Sequence, residues 1–258
     1  MTKSVADLLV IPTHTRWCIV ATAVLLWQLL GLNPMHGNAE GAGSLKARAK
    51  KLYYGLGVKQ NYTQALGLYE KAAAMGDPDA KYIAGGMYFK GLGTEQNFTK
   101  AFQLLHQAAS SGRSTPESQQ VLAQSYLLGQ GTHRNYKKAI EWYNEAAEND
   151  NSEAQNELGY MYFLGRGVEQ DMLKGGGLFL RAARNGLPIS QYNVGIMYYT
   201  GIGVEDQDLV QAYAWMNIAA ANGHRAAVSM RNFLETVLSV DELNQAQEYT
   251  ETLLERMQ

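Results

Sequence analysis

The stretch GYMYFLGRGVEQD, from Gly159 to Asp171, decides the fold of this chain. Its two glycines, Gly165 and Gly167, resemble the beginning of a nucleotide-binding loop. The same pair occurs five times, at successive intervals of 36, 38, 36 and 36 residues. The pairs are Gly55 and Gly57, Gly91 and Gly93, Gly129 and Gly131, Gly165 and Gly167, and Gly201 and Gly203. A period of this size is typical of a repeat array.

A phosphate-binding loop would need further features that these pairs lack. Such loops follow a strand and contain a third glycine or a Gly-Lys pair. None of the five copies has either feature. Glycine is also the usual residue wherever the backbone must turn tightly. The five pairs are therefore predicted to be structural turns.

A helix, called helix A, is predicted before each glycine pair. A small residue precedes the first glycine by six positions, and a tyrosine or leucine precedes it by three. This spacing places both on one helical face, where the small residue allows a neighbouring helix to approach closely. The small residues are Ala49, Gly85, Ala123, Gly159 and Gly195, and the larger ones are Leu52, Tyr88, Tyr126, Tyr162 and Tyr198.

A second helix, called helix B, is predicted after each pair. The residues that precede it are Asn61, Asn97, Asn135, Asp171 and Asp208, whose short polar side chains can cap a helix. Helix B closes with Gly76, Gly112, Gly186 or Gly223, and in the third copy with residues 149–151. Glycine is the preferred residue after a helix C-terminus. Each copy is thus predicted to be a helical hairpin.

One such hairpin cannot bury its apolar face alone, so the hairpins are predicted to stack into an all-α solenoid. The five helix-turn-helix units occupy residues 40–227, at about 45–80, 81–117, 118–154, 155–190 and 191–227. C-terminal capping helices follow in residues 228–258. One further helix is predicted from Arg225 to Leu238, and a capping box at Ser239 opens the last one.

Helix B of the fourth unit contains three residues of low helix propensity, the glycines at 175–177. Each glycine costs about 1 kcal/mol relative to alanine inside a helix. Either stacking against the neighbouring units offsets this cost, or the helix begins late.

The repeat closely resembles the Sel-one-like repeat (SLR), a relative of the tetratricopeptide repeat, over about residues 45–227. The residues that carry the resemblance are Ala154, Leu158, Gly159, Tyr162, Gly165, Gly167 and Val168, with the Ala-Ala pair and the closing glycine that follow. The resemblance implies a right-handed α/α superhelix whose concave face contacts other proteins. It also implies a bacterial protein that is commonly exported and serves as an adaptor.

Family members have been linked to envelope assembly, signalling, host interaction and motility, so the resemblance implies a protein partner of unknown identity. One alternative is an envelope hydrolase or β-lactam-binding protein of the cysteine-rich branch. The single cysteine, Cys18, lies in the N-terminal apolar stretch and speaks against that branch. Another alternative is the accessory protein of the sodium-driven flagellar motor, for which no matching residues are identified.

Residues 1–39 differ from the repeats and are predicted to be a signal peptide. Residues Trp17 to Leu30 form a run of 14 residues without a charge, which suits a secretory signal better than a membrane span. Small residues at Gly37 and Ala39 precede a possible cleavage site before Glu40. We expect a periplasmic or secreted protein. The alternative is an uncleaved signal anchor in the inner membrane, and N-terminal sequencing of the mature protein distinguishes the two.

Composition narrows the class of partner. The chain has 22 basic and 24 acidic residues, a net charge of −2, and 46% hydrophobic residues, which is typical of a soluble globular protein. Nucleic-acid-binding proteins usually carry a basic excess, and this chain has none. The expected partner is another protein, and contact with a membrane is expected only through the N-terminal segment.

The sequence indicates no catalytic residues, metal site or cofactor, and therefore no enzyme. His106, His133 and His224 are dispersed and lack metal-ligand spacing. No serine lies in a nucleophile-elbow pattern. Glu153 and Glu157 lie four residues apart at the start of a helix A and are predicted to be solvated carboxylates near a helix N-terminus.

A second face of helix A is the candidate binding surface, because A helices usually line the concave side of such stacks. The candidate residues are Tyr82, Gln120, Gln124, Asn156, Tyr160 and Tyr192. Tyrosine is a frequent anchor at protein interfaces, being large, stiff and able to form hydrogen bonds. The alternative is that these tyrosine rings pack between neighbouring A helices.

Overall fold

A computed structural model describes residues 40–257. Within this range the chain forms twelve α-helices and no β-strand. The helices are α1 (Ala42–Tyr54), α2 (Tyr62–Ala74), α3 (Pro78–Lys90), α4 (Phe98–Ser110), α5 (Pro116–Leu128), α6 (Tyr136–Glu148), α7 (Ser152–Leu164), α8 (Met172–Arg184), α9 (Pro188–Thr200), α10 (Leu209–Ala221), α11 (Arg225–Val237) and α12 (Val240–Arg256). The predicted signal peptide or anchor, with Cys18, lies outside the described residues.

Helices α1 to α10 form five pairs, here called units 1 to 5. The odd-numbered member of each pair is its helix A and the even-numbered member its helix B. The two helices of a unit pack on each other, and each helix B also packs on the helix A of the next unit. The predicted all-α solenoid of helical hairpins is confirmed.

The B helices begin as predicted. In all five units the Asn or Asp side chain before helix B accepts a hydrogen bond from a backbone N–H three residues later. In unit 1, for example, Oδ1 of Asn61 accepts from the N–H of Gln64 at 2.9 Å. Each cap satisfies a donor that the helix itself cannot pair.

All ten glycines of the five pairs have a positive φ. The first glycine of the last four pairs ends α3, α5, α7 or α9 in the left-handed conformation. The second glycine can lie directly against the preceding unit: a Cβ at Gly131 would overlap the carbonyl group of Phe98, the first residue of α4. The backbone therefore requires glycine in these turns. The glycines have a structural role, which agrees with the prediction that they do not form a ligand-binding loop.

Small residues also let the two helices of one unit approach closely, as predicted. A Cβ at Gly159 in α7 would lie 2.9 Å from the ring of Phe179 in α8. A Cβ at Gly85 in α3 would lie 2.8 Å from Cγ of Leu105 in α4. The large side chain of helix B occupies the space that glycine leaves open.

The three glycines of α8 do not delay the helix, which begins at Met172. Two of them are packed tightly. A Cβ at Gly175 would lie 2.9 Å from the backbone nitrogen of Phe163, and one at Gly176 would lie 2.6 Å from Cε of Met197. Gly177 has nothing within 4 Å of its Cβ position. Packing on α7 of the same unit and on unit 5 therefore offsets the low helix propensity of this segment.

Buried glutamines link units 3, 4 and 5. Gln155 in α7 donates to the carbonyl oxygen of Ala147 at the end of α6, at 3.1 Å, and accepts from Asn185 at the end of α8, at 3.3 Å. Gln191 in α9 repeats the arrangement with Ala183 and Asn222. Each glutamine therefore joins the C-terminal ends of two successive B helices, and we call this contact a glutamine bracket.

The equivalent residue of unit 3, Gln119, does not form the bracket. Its Nε2 donates to Glu145 within the same unit, at 3.2 Å. Among the described residues, neither its Oε1 nor the buried hydroxyl of Ser114 has a hydrogen-bond partner. The α4–α5 connection contains two more residues than the other connections between units, which displaces Gln119 relative to the end of α4.

The C-terminal cap also forms as predicted. Helix α11 begins after His224, whose Nδ1 accepts from the N–H of Ala227. Helix α12 begins with a capping box between Ser239 and Glu242 and packs against α10. The two helices cover the end of the stack.

Candidate functional site

Two cavities lie along the A helices. The first, which we call the aromatic cavity, has a volume of about 390 Å³ and is lined by residues of α1, α3 and α5, with one residue each from α2 and α4. The second, which we call the acidic cavity, has a volume of about 250 Å³ and is lined by residues of α5, α7 and the beginning of α9. A buried tyrosine at the eighth position of helix B contributes to each lining, Tyr69 in the first and Tyr143 in the second.

Aromatic side chains surround the aromatic cavity. Tyr53 and Tyr54 come from α1, and Tyr82 and Phe89 come from α3. The rings of Tyr53 and Tyr54 meet edge to face with centroids 4.8 Å apart, and Tyr54 is 61% exposed. Burial raises the pKa of Tyr69 to about 12, so its phenol is neutral at physiological pH. The cavity therefore offers an apolar, aromatic lining that is open to solvent.

Charged side chains stand at the rim of the aromatic cavity. Lys50, Lys90 and Glu117 are exposed. Within residues 40–257 none of these three forms a salt bridge. Tyr82 is held in place by the hydroxyl of Thr115, which donates to the Tyr82 oxygen at 3.3 Å. The rim thus combines unpaired charges with a fixed aromatic ring.

The acidic cavity is polar at its centre. Gln120 and Gln124 of α5 face Asn156 and Glu157 of α7, and Glu153 lies nearer to solvent. The Asn156 amide donates to the Glu157 carboxylate at 3.4 Å. Burial is the main reason why the pKa of Glu157 is raised, against smaller opposing effects of Asn156 and Arg166.

The prediction that Glu153 and Glu157 are both solvated is wrong for Glu157. Glu153 is exposed, as predicted, but Glu157 is half-buried in the acidic cavity. Both carboxylates line the same cavity, to which α5 contributes Gln120 and Gln124, and only Glu153 reaches solvent freely. Helix position alone therefore did not determine the environment of this carboxylate.

The six candidate binding residues divide into two groups. Gln120, Gln124 and Asn156 line the acidic cavity, and Tyr82 lines the aromatic cavity. Tyr160 and Tyr192 line neither of the two cavities. A role for all six residues in partner binding stays a prediction.

Tyr160 contacts the next helix A, and Tyr192 contacts the residue that caps α11. The Tyr160 hydroxyl donates to Oδ1 of Asn193 in α9 at 3.1 Å, and the Tyr192 ring stacks on His224 with centroids 4.4 Å apart. Both residues keep part of their surface exposed. The alternative interpretation, in which tyrosine rings pack between neighbouring A helices, describes the contact of Tyr160, whereas Tyr192 packs on the start of the C-terminal cap.

Sequence reasoning missed several residues that line the cavities. Tyr53 and Phe89 both lie two positions before the first glycine of their unit, a position that is also aromatic in units 4 and 5. This recurrence was a readable signal. The sequence signal for Tyr143 was weaker, because the equivalent residues of the other B helices share only a large size and burial.

The described residues offer little for catalysis or metal binding. Within residues 40–257 no cluster of three or more His, Cys, Asp or Glu side chains could hold a metal ion. His106 and His133 are exposed and distant in sequence, and His224 serves as a helix cap. Every helix in this range is too short or too polar to cross a membrane.

We expect the substitution Glu157→Gln to raise the thermal stability near neutral pH and to have a smaller effect in acid. The folded-state pKa of Glu157 lies above the unfolded value, so ionisation of this group opposes folding above that folded pKa. Below the unfolded value of about 4.3 the carboxyl is neutral in both states and the difference disappears. Thermal unfolding of both proteins between about pH 4 and about pH 8 measures the effect.

The matched control for this experiment is Glu153→Gln, four residues away on the same helix and exposed. Glu153 also lines the acidic cavity, so this control separates the effect of the second carboxylate from that of Glu157. A stability gain of Glu157→Gln that is as large in acid as at neutral pH would contradict the assignment.

The repeats match a known family along most of the described chain. Residues 49–77, 78–112, 116–151, 152–187 and 188–224 match the Sel1 repeat. The chain matches no curated protein. These five segments fall on the five helix pairs.

Solved structures show the same fold. A Sel1 repeat protein from Oxalobacter formigenes is 25% identical, with 86% of this chain and 91% of that chain covered and a TM-score of 0.66. A protective antigen of uropathogenic Escherichia coli strains that displays an SLR fold is 27% identical, with 85% of this chain covered and a TM-score of 0.59. This chain spans about half of the antigen, 54% of its length.

Repeats of this type are protein-interaction modules and are usually non-catalytic. The matched segments cover more than half of the chain and coincide with its helical hairpins. This protein therefore belongs to the Sel1 repeat family.

Proposed function

We propose that this protein is a non-enzymatic adaptor of the bacterial envelope that binds another protein through the face formed by its A helices. This is the face expected to be concave in such a solenoid. The observation that carries the proposal is the aromatic cavity, whose lining includes Tyr53, Tyr54, Tyr82 and Phe89. Buried or half-buried aromatic clusters beside an open cavity are typical anchor sites for a partner's side chains.

The exposed aromatic surface supports a protein partner in particular. Tyr54 is 61% exposed, and Leu56 and Val58, in the turn that follows it, are 53% and 45% exposed. Contiguous apolar surface of this kind favours burial in an interface. The rim charges of Lys50, Lys90 and Glu117 can orient such a partner, since charged rims contribute mainly to orientation and association rate.

The envelope location rests on two supports. Residues 1–39 are predicted to be a signal peptide, with an inner-membrane anchor as the alternative. A similar protein, of which this chain spans 54%, is described as a protective antigen of uropathogenic Escherichia coli. We take this similarity as the second support for a place in the cell envelope.

Site-specific photo-crosslinking in the native host tests the proposed face. A photoreactive phenylalanine analogue is introduced at Tyr54, beside the aromatic cavity, and at Leu173 as the control. Leu173 lies on helix B of unit 4, is 62% exposed and lines neither the aromatic nor the acidic cavity. We expect a discrete protein adduct from position 54 that is lost when Tyr82→Ala is added, and no such adduct from position 173.

Two results would contradict the proposal. One is an absence of adducts from position 54 while the protein is folded and abundant. The other is the same set of adducts from positions 54 and 173, because this indicates contact without a preferred face. The Tyr82→Ala variant is checked by circular dichroism, so that a loss of the adduct reports on the cavity and not on unfolding.

A further inference from the structure

The acidic cavity contains hydrogen-bonding groups that have no partner. Within residues 40–257 the side chains of Gln120 and Gln124 form no hydrogen bond, and neither does the hydroxyl of Tyr143. Tyr143 is fully buried, with 0% of its surface exposed, yet it lines the cavity. Buried polar groups in native proteins are nearly always paired. Gln120 and Gln124 are only half-buried, so this rule applies to Tyr143, whose buried hydroxyl indicates a ligand that pairs with it.

The charge of the cavity restricts the chemistry of that ligand. Glu157 lies inside and Glu153 at the edge, and none of the residues that line the cavity is Lys or Arg. The only hydrogen bond to the Glu157 carboxylate among the described residues is the long one from Asn156, at 3.4 Å. A half-buried carboxylate with so few donors favours a cationic group that donates several hydrogen bonds.

The oxygen atoms that converge on the cavity can all act as acceptors. They belong to the carboxylate of Glu157, the phenol of Tyr143 and the amides of Gln120 and Gln124. A guanidinium group has five N–H donors in a planar fork and no acceptor, whereas an ammonium group has three donors. Several acceptors around one carboxylate suit the fork of a guanidinium better than the single point of an ammonium.

The walls of the cavity suit the rest of such a side chain. Leu127, Leu128, Leu187 and Ile189 supply apolar surface around the polar centre. Long basic side chains commonly bury their methylene groups along apolar surface and present the charge beyond it. The volume of about 250 Å³ lies below the range of roughly 300–1,000 Å³ typical of pockets for whole small molecules. It suits one side chain.

We propose that the acidic cavity binds the guanidinium group of an arginine side chain from the partner protein. Glu157 pairs with the charge, the Tyr143 hydroxyl and the two glutamine amides accept the remaining N–H groups, and the leucines enclose the methylenes. That the arginine comes from a partner protein rests on the proposed adaptor function. That the cavity binds a guanidinium group rests only on the residues that line it.

A titration of the purified protein with small probes tests this inference. The probes are N-acetyl-arginine methylamide, its citrulline analogue and agmatine. Citrulline keeps the shape of arginine but replaces the guanidinium with a neutral urea group. The readout is the NMR signals of the side-chain amides of Gln120, Gln124 and Asn156. We expect saturable shifts with the arginine probe and none with the citrulline probe.

Variants connect the binding to the named carboxylate. We expect Glu157→Gln to weaken binding of the arginine probe at least tenfold, while Glu169→Gln leaves it unchanged. Glu169 is exposed, lies outside the cavity and belongs to the same unit. Equal binding of the arginine and citrulline probes overturns the inference, as does undiminished binding by Glu157→Gln. If agmatine binds more tightly than the capped arginine, the ligand is a free cation and not the side chain of a partner protein.

The two proposals fail separately. If position 54 gives no crosslink but the arginine probe binds, the adaptor proposal fails and the cation chemistry of the cavity stands. If the crosslink forms but no probe binds, the partner uses the aromatic cavity and the inference about the acidic cavity is wrong.

Discussion

The substitution Gly131→Ala is expected to lower the free energy of unfolding by about 3 kcal/mol. Gly131 has a φ of +75°, and an alanine there costs about 1–2 kcal/mol of backbone strain. Its methyl group would also overlap the carbonyl group of Phe98 and lie 2.9 Å from the backbone nitrogen of Thr99. Overpacking against atoms that cannot move aside adds about 1–3 kcal/mol.

The matched control is Gly57→Ala in the turn of unit 1. Gly57 has nearly the same φ, +71°, but nothing lies within 4 Å of its Cβ position. Only the backbone strain remains, so we expect a loss of about 1–2 kcal/mol. Thermal or urea unfolding of the three proteins measures the difference; for a chain of this size about 3 kcal/mol corresponds to a fall in Tm of about 6–12 °C. Equal losses in both variants would show that the second glycine does not mediate contact between units.

The glycines of α8 give a second pair of substitutions, with effects of opposite sign. Gly176→Ala is expected to destabilise the protein by about 2 kcal/mol or more, because overpacking outweighs the gain of about 1 kcal/mol in helix propensity. Its methyl group would overlap the carbonyl oxygen of Gly203 and lie 2.6 Å from Cε of Met197. Gly177→Ala meets no atom and is expected to stabilise the protein by about 1 kcal/mol.

The two residues are adjacent in one helix, so propensity and capping are the same for both substitutions. Urea unfolding of the two variants alongside the parent protein separates packing from propensity. Two stabilising substitutions would mean that α8 tolerates a side chain facing unit 5. Such a result would contradict the close contact between the turn at Gly203 and α8.

The fold was largely predictable because each unit repeats the same local chemistry. Asn135 caps a helix through contacts only three residues away, and Gly129 ends one through its own backbone angle. Such features depend on neighbours in sequence, and five copies make them unambiguous. The continuous helix at residues 175–177 was not predictable, because the packing on these glycines comes from α7 of the same unit and from unit 5.

The candidate site was predictable only in part. Gln120 and Gln124 lie one helical turn apart, so their convergence followed from spacing. The burial of Glu157 did not, because it depends on how α5 lies against α7. The exposure of Tyr54 could not be predicted either, because a tyrosine near the end of a helix A can face the core or the solvent.

The glutamine brackets make the contacts between units differ along the solenoid. Gln155 and Gln191 tie the ends of successive B helices across two junctions, while the junction before α5 lacks such a tie and leaves Gln119 and Ser114 unpaired within the described residues. Local unfolding follows contiguous cooperative segments. We therefore expect units 3 to 5 to unfold as one cooperative segment, because the brackets join their B helices. The aromatic cavity is lined by residues of units 1, 2 and 3, so a bound partner would add contacts across the two junctions that lack a bracket.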